Sequence, residues 1–175
     1  AATASSASED AASYSVDLLA NSSDADGSDT LNIANLTLTG GDNAGISVVG
    51  NSLNIDPSAY NSLANGESEV ITYTYDVTDG KGGTVATSAT ITITGVNDAP
   101  VVSAATTNSA SEDAASYSLD LLANASDADG SDTLNIANLT LTGGSDAGVT
   151  VVGNSLSIDP SAYNSLADGE SEVIA

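Results

Sequence analysis

The sequence predicts an all-β fold of tandem immunoglobulin-like Greek-key sandwiches, and two observations carry the prediction. Thr, Val, Ile and Tyr alternate with polar residues at period two in short runs broken by Gly, Asn and Asp, while helix-period stretches are nearly absent. In addition, residues 1–72 recur at 104–175 with a constant offset of 103 and 61 of 72 positions identical. A period this long exceeds the roughly 20–50 residues of solenoid and propeller repeats, so each period is a whole domain. The expected domains are 1–98 and 99–175.

Taken in order, the first copy offers strands near Ser13–Leu18, with Tyr14, Val16 and Leu18 on one face, then Leu31–Thr39, Ile46–Val49 and Leu53–Ile55. The segment from Asp56 to Leu63 differs: Asp before Pro57 resembles an N-cap followed by a first-turn proline, which predicts a single helical turn. Two longer strands follow. Val70–Val77 turns Ile71, Tyr73, Tyr75 and Val77 inward, and Val85–Thr94 turns Val85, Ala89, Ile91 and Ile93 inward. Asp79-Gly80-Lys81-Gly82-Gly83 between them suits a hairpin turn. About seven short strands per roughly 100 residues is the size of an immunoglobulin-like sandwich. Gly95-Val96-Asn97-Asp98-Ala99-Pro100 then forms a short extended connection, because proline restricts both itself and Ala99.

The second copy stops before any counterpart of Tyr73–Thr94, so it lacks the last two strands. Burial of the larger inward side chains is worth about 1.5–3 kcal/mol each, and their omission removes roughly 10 kcal/mol, comparable with the ~5–15 kcal/mol of a whole domain. The expectation is that this half does not stay folded alone. Either the sequence is an excerpt of a longer array, or a neighbouring chain donates the strands, or the chain has been clipped. Ala1 opens polar sequence with no basic segment, and no run approaches a membrane span, so an interior stretch of a larger protein is expected.

Charge narrows the function. Twenty-four acidic residues face one basic residue, Lys81, with no His and no Cys, for a net charge of −23. That excludes nucleic acid and anionic membrane as partners, and membrane insertion is not expected. With 41% hydrophobic residues the chain collapses, so the charge calls for bound cations. Carboxylate and carbonyl oxygens without nitrogen or sulfur ligands exclude Zn or Cu and point to Ca²⁺, with Mg²⁺ second.

Asp24-Ala25-Asp26-Gly27-Ser28-Asp29 and its copy Asp127-Ala128-Asp129-Gly130-Ser131-Asp132 place three carboxylates on a glycine loop. Neither is an EF-hand, since Gly stands fourth and position twelve of the first is Asn35. A lone loop of this kind is more often a solvated turn. The density of other acids in the same bead, including Glu9, Asp10, Glu67, Glu69, Asp76, Asp79 and Asp98, favours a cation.

The stretches Gly95–Pro100, Asp120–Gly130 and Tyr73–Gly83 together resemble the bacterial cadherin-like or VCBS repeats of giant RTX adhesins, a resemblance covering the full chain. It implies cadherin-like sandwiches acting as extender domains, exported by type I secretion and stiffened by extracellular Ca²⁺. By similarity to cadherin junctions, Asn97 and Asp98 match the linker ligands, Asp127 and Asp129 the Asp-x-Asp ligands, Glu9 the early glutamate and Glu69 the late one. Asp24 and Asp26 would serve a junction before Ala1, and Glu112 one after Ala175. The expected partners are neighbouring repeats of the same or another chain and a cell-surface or matrix partner.

Catalysis is not expected. Glu67/Glu69 or Asp24/Asp26 could be posed as a glycosidase pair, but no His, Cys or Gly-x-Ser-x-Gly accompanies them, and an active site duplicated in near-identical copies is improbable. Asn-x-Ser/Thr at Asn21, Asn35, Asn124 and Asn138 reads as chance in so Asn- and Ser-rich a chain. The expected function is a calcium-rigidified extender of a secreted bacterial surface adhesin or matrix fibre, supporting adhesion and biofilm. Alternatives are a filament subunit assembled by strand donation and a carbohydrate-binding module using the six tyrosines.

Overall fold

A computed structural model describes all 175 residues. The chain forms two compact units: unit 1 comprises Ala1–Asp98 and Ala128–Asp132, and unit 2 comprises Ala99–Asp127 and Thr133–Ala175.

Unit 1 is a seven-stranded sandwich. Its strands are β1 (Thr3–Ser8), β2 (Tyr14–Asp17), β3 (Asn32–Gly40), β4 (Ile46–Val49), β5 (Ser52–Ile55), β6 (Ser68–Thr78) and β7 (Thr84–Thr94). One sheet has the order β1-β7-β6-β3 and the other β2-β5-β4. Alternation explains the core: Ile71, Tyr73 and Tyr75 of β6 and Ala89, Ile91 and Ile93 of β7 face Leu18, Leu53, Ile55 and Tyr60 of the other layer. The Tyr75 hydroxyl donates to the buried Leu18 carbonyl at 2.8 Å, fastening the two sheets with a polar bond inside an apolar layer. Val85, expected to face inward, is 67% exposed. It pairs with Val77 one step from the hairpin end, outside the apolar cluster.

The expected helical turn forms as a 3-10 turn at Pro57–Tyr60, with Pro57 early in it. Gly45 is required beside it: an added Cβ would lie 2.3 Å from the Asp56 carbonyl oxygen and 2.9 Å from the Tyr60 ring. This close approach lets the Tyr60 hydroxyl donate to the Asp42 carbonyl at 2.8 Å. Burial raises the Tyr60 pKa above its ordinary value of 10.0.

Strand β1 has no counterpart among the expected strands, because Thr-Ala-Ser-Ser-Ala-Ser carries no large apolar residue. Thr3 is buried and Ser5 and Ala7 half-buried, so the period-two pattern is present in small side chains. It pairs in parallel with β7, from Thr3 opposite Ala89 to Ser8 opposite Thr94.

Unit 2 contains β8 (Val101–Val102), β9 (Tyr117–Asp120), β10 (Ala125–Ser126), β11 (Val149–Val152) and β12 (Ser155–Ile158), and a 3-10 turn at Pro160–Tyr163. The sheet β11-β12-β9 repeats the register of β4-β5-β2. The counterparts of β1 and β3 are irregular. Those strands pair with β7 and β6 in unit 1, whereas β9, β11 and β12 pair among themselves. Leu121, Leu156, Ile158 and Tyr163 are accordingly only half-buried, while their first-copy equivalents are buried.

Candidate metal centre

The parallel pairing of β1 with β7 builds the site. Because the two strands run the same way, Glu9 leaves the end of β1 beside the chain leaving β7, and its N–H donates to the Thr94 carbonyl at 3.0 Å. The Val96 N–H then donates to Glu9 Oε1 at 2.8 Å. One step on, the Asp98 N–H donates to Asp129 Oδ2 at 2.9 Å. Carboxylate oxygens of Glu9, Asp98 and Asp129 lie within 4.8 Å of one another.

The electrostatics of this group are unusual. Glu9 is 1% exposed and Asp129 2% exposed, and Glu9 Oε2 is buried with no hydrogen-bond partner. A carboxylate oxygen withdrawn from water, unbonded and beside two other acids, is costly unless a cation neutralises it. The protein offers none: Lys81 lies in the β6–β7 turn, and β7 has ten residue steps from Thr84 to Thr94, about 33 Å at ~3.3 Å each. That exceeds the roughly 8–10 Å Debye length several times over. Hard oxygen donors and a buried orphan oxygen suit a divalent cation such as Ca²⁺, whose remaining ligands can be carbonyl oxygens or water.

The other expected ligands fall into three groups. Asn97 is adjacent in sequence, exposed, and its amide donates to the Asp98 carbonyl. Asp127 is half-buried in unit 2. Glu69 is not brought to the cluster: its Oε1 accepts from the Asp42 N–H, closing the turn after β3, and Glu172 does the same for Ser145 at 2.7 Å in unit 2. An acid on β6 opposite a tight turn serves the turn's free N–H. Glu67 likewise accepts from the Ala64 N–H at 3.0 Å.

Asp24 and Asp26 come together with Asp29, an acid outside the expected ligand pair, on a largely exposed loop. The Asp26 N–H donates to Asp24 Oδ1 and the Asp29 N–H to the Asp26 carbonyl, each at 2.9 Å. Glu112, the copy of Glu9, also has a buried, unbonded Oε2. Three contributors carry no side-chain signal in the sequence: the Val96 N–H, the Ser62 carbonyl and the Gly130 N–H, the last two joined at 3.0 Å. Period two in Thr3, Ser5 and Ala7 was the available clue to the strand that delivers Glu9.

A family model described as a cadherin-like domain matches residues 1–94 and again 96–167. The chain belongs to the cadherin-like domain family. Cadherin-like domains are adhesion and structural modules that generally bind Ca²⁺ and interact with neighbouring repeats, and they are characteristic of extracellular proteins. A comparison with curated proteins gives no match. No helix is long and apolar enough to cross a membrane.

Proposed function

We propose that this cadherin-like chain is a calcium-rigidified extender segment of a secreted bacterial surface adhesin or matrix fibre, exported by type I secretion and supporting adhesion and biofilm. The observation that carries the reading is Glu9: a fully buried carboxylate with a free Oε2, held beside Asp98 and Asp129 without any basic side chain near it. Asp129 belongs by sequence to the second copy yet sits in unit 1, so a cation held there would tie the two copies at that point. Asn97 and Asp127, close in sequence to Asp98 and Asp129, are the further ligands of this reading, and Asp24 with Asp26 would present the same loop to a preceding repeat. Glu69 would act at this site only by leaving its turn.

The mechanism is mechanical. Without cation the acids repel; with it the linker is fixed and the array stands clear of the cell. Extracellular calcium modules bind at roughly 0.1–1 mM, and loading at 100 times the dissociation constant adds about 2.7 kcal/mol per site. Thermal melting of the 175-residue chain in calcium and in chelator tests this. A higher melting temperature in calcium is expected, and coincident curves overturn the reading.

A second reading, a filament subunit completed by strand donation between chains, has one observation in its favour. The apolar residues Leu121, Leu156, Ile158 and Tyr163 of unit 2 are half-covered where their equivalents are buried under β6 and β7. Concentration-dependent polymers in sedimentation would support it, and a monomer at all concentrations would exclude it. The glycan-binding alternative finds less support, since all six tyrosines are buried or half-buried.

A further inference from the structure

Segment Ala128–Asp132 is held in unit 1 by two hydrogen bonds, one between backbone groups and one accepted by the Asp129 carboxylate. The Gly130 N–H reaches the Ser62 carbonyl at 3.0 Å, and Asp129 Oδ2 accepts from the Asp98 N–H at 2.9 Å. Ser62 is presented by a stiff frame. The Leu63 N–H donates to the Tyr60 carbonyl at 3.0 Å, closing the chain over the 3-10 turn, and Ala64 is fixed by Glu67 at 3.0 Å. Gly95 packs against this frame so tightly that an added Cβ would lie 2.4 Å from the Leu63 carbonyl oxygen and 2.2 Å from that of Ala64. The Ser62 carbonyl and the Asp98 N–H are thus set by the end of β7 and the turn before β6, not by the acids.

We infer that this frame is a docking surface for an Asp-x-Asp-Gly loop of the repeat itself, which holds the loop against the mutual repulsion of the three carboxylates, so that a cation locks a junction already in register. Gly130 is the residue whose N–H the frame holds. An added Cβ there would stand 3.4 Å from the Ser62 oxygen, an ordinary contact, so a methyl is admitted and only a bulkier, β-branched side chain crowds the carbonyl that the N–H must reach. The glycine of the motif is a positioning residue rather than a ligand. Its copy supplies an internal control: Gly27, in the identical hexapeptide, has nothing within 4 Å of an added Cβ, and neither glycine has the positive φ that would penalise a side chain. The turn itself is the same in both loops, with the Asp29 N–H on the Asp26 carbonyl at 2.9 Å and the Asp132 N–H on the Asp129 carbonyl at 3.1 Å. What differs is the seat.

The turn that carries Ser62 recurs in unit 2. There the Leu166 N–H donates to the Tyr163 carbonyl at 3.0 Å and the Ala167 N–H to Glu170 Oε2 at 2.9 Å, so Ser165 stands where Ser62 does. Two sequence-identical loops, one seated and one not, differ in the Ser62 carbonyl that only the second one meets.

Amide hydrogen exchange on the 175-residue chain in chelator tests docking directly. The Gly130 N–H is expected to exchange about tenfold or more slowly than the Gly27 N–H, as a hydrogen-bonded amide in a stable unit does; equal rates overturn the inference. The positioning claim rests on the cation reading of Glu9, Asp98 and Asp129, and a calcium titration followed at the Glu9 amide resonance addresses it. Gly130→Val is expected to raise the half-saturating calcium about tenfold, a loss of ~1.4 kcal/mol, while Gly27→Val leaves it unchanged; equal effects overturn it. If the unmodified chain takes up no calcium and Gly130 is still protected, the cation reading fails and the docking surface stands.

Discussion

At the scale of single residues, Glu9 and Asp79 show how an acid's neighbours decide its role. Glu9 is buried beside other acids with one oxygen unbonded, so replacing it by glutamine removes a costly charge in chelator and a ligand in calcium. Glu9→Gln is therefore expected to raise the melting temperature in chelator, lower it in calcium and shrink the difference from both sides; an unchanged difference counts against the site. Asp79 is satisfied by its own turn. Its Oδ1 accepts from the N–H groups of Lys81 at 2.7 Å, Gly82 at 3.0 Å and Gly83 at 2.9 Å, and these bonds, the Lys81 one foremost, hold its pKa below the ordinary 3.8. The folded value being depressed, the turn's contribution is complete above the unfolded pKa and disappears as pH falls through the lower folded one. A carbon-13 titration of the Asp79 carboxyl should have its midpoint below 3.8; a midpoint at or above it would remove the argument.

At the scale of elements, strands with large alternating residues were legible and the strand without them was not. Ile71, Tyr73, Tyr75, Ile91 and Ile93 announce β6 and β7 plainly, and Pro57 after Asp56 marks its turn. β1 hides in Thr, Ser and Ala because it is an edge strand whose side chains fill little space, and only its parallel partner makes it a strand. The same gap limits the site. Glu9, Asp98 and Asp129 were recognisable as acids, but the backbone groups that seat them carry no residue signature, and Glu69 looked like a ligand because the N–H that it satisfies is invisible in sequence. The two copies also calibrate packing. Leu53 is 0% exposed under both sheets, whereas its equivalent Leu156 is half-buried. Leu53→Ala is expected to cost about 2–5 kcal/mol and Leu156→Ala clearly less, measured by denaturant unfolding; equal losses would mean that both copies are covered alike in solution.

At the scale of the whole molecule, the chain's path matters more than any single contact. It leaves unit 1 after Asp98, runs through unit 2, returns to unit 1 at Ala128–Asp132 and departs again. Closing so long an excursion carries an entropic cost that grows only slowly with its length, so a few hydrogen bonds at Ala128–Asp132 go far toward offsetting it. Uncompensated acidity makes compaction sensitive to ionic strength: at −23 the chain's own field opposes it, and added monovalent salt relieves part of that opposition by screening. The melting temperature in chelator is therefore expected to rise with sodium chloride, and a salt-independent value would show that local contacts outweigh the net charge.

The pairing of β1 with β7 also governs how unit 1 responds to tension. The chain enters through β1 at Thr3 and exits through β7 at Thr94, and the two strands lie side by side pointing the same way over six paired positions. Pulling the two ends apart slides one strand along the other, so the hydrogen bonds between them bear the force together as a lap joint does. An antiparallel first-to-last pair would instead peel open one bond at a time. Glu9 and Val96 lie at the end of this joint, where a bound ion would act as its rivet.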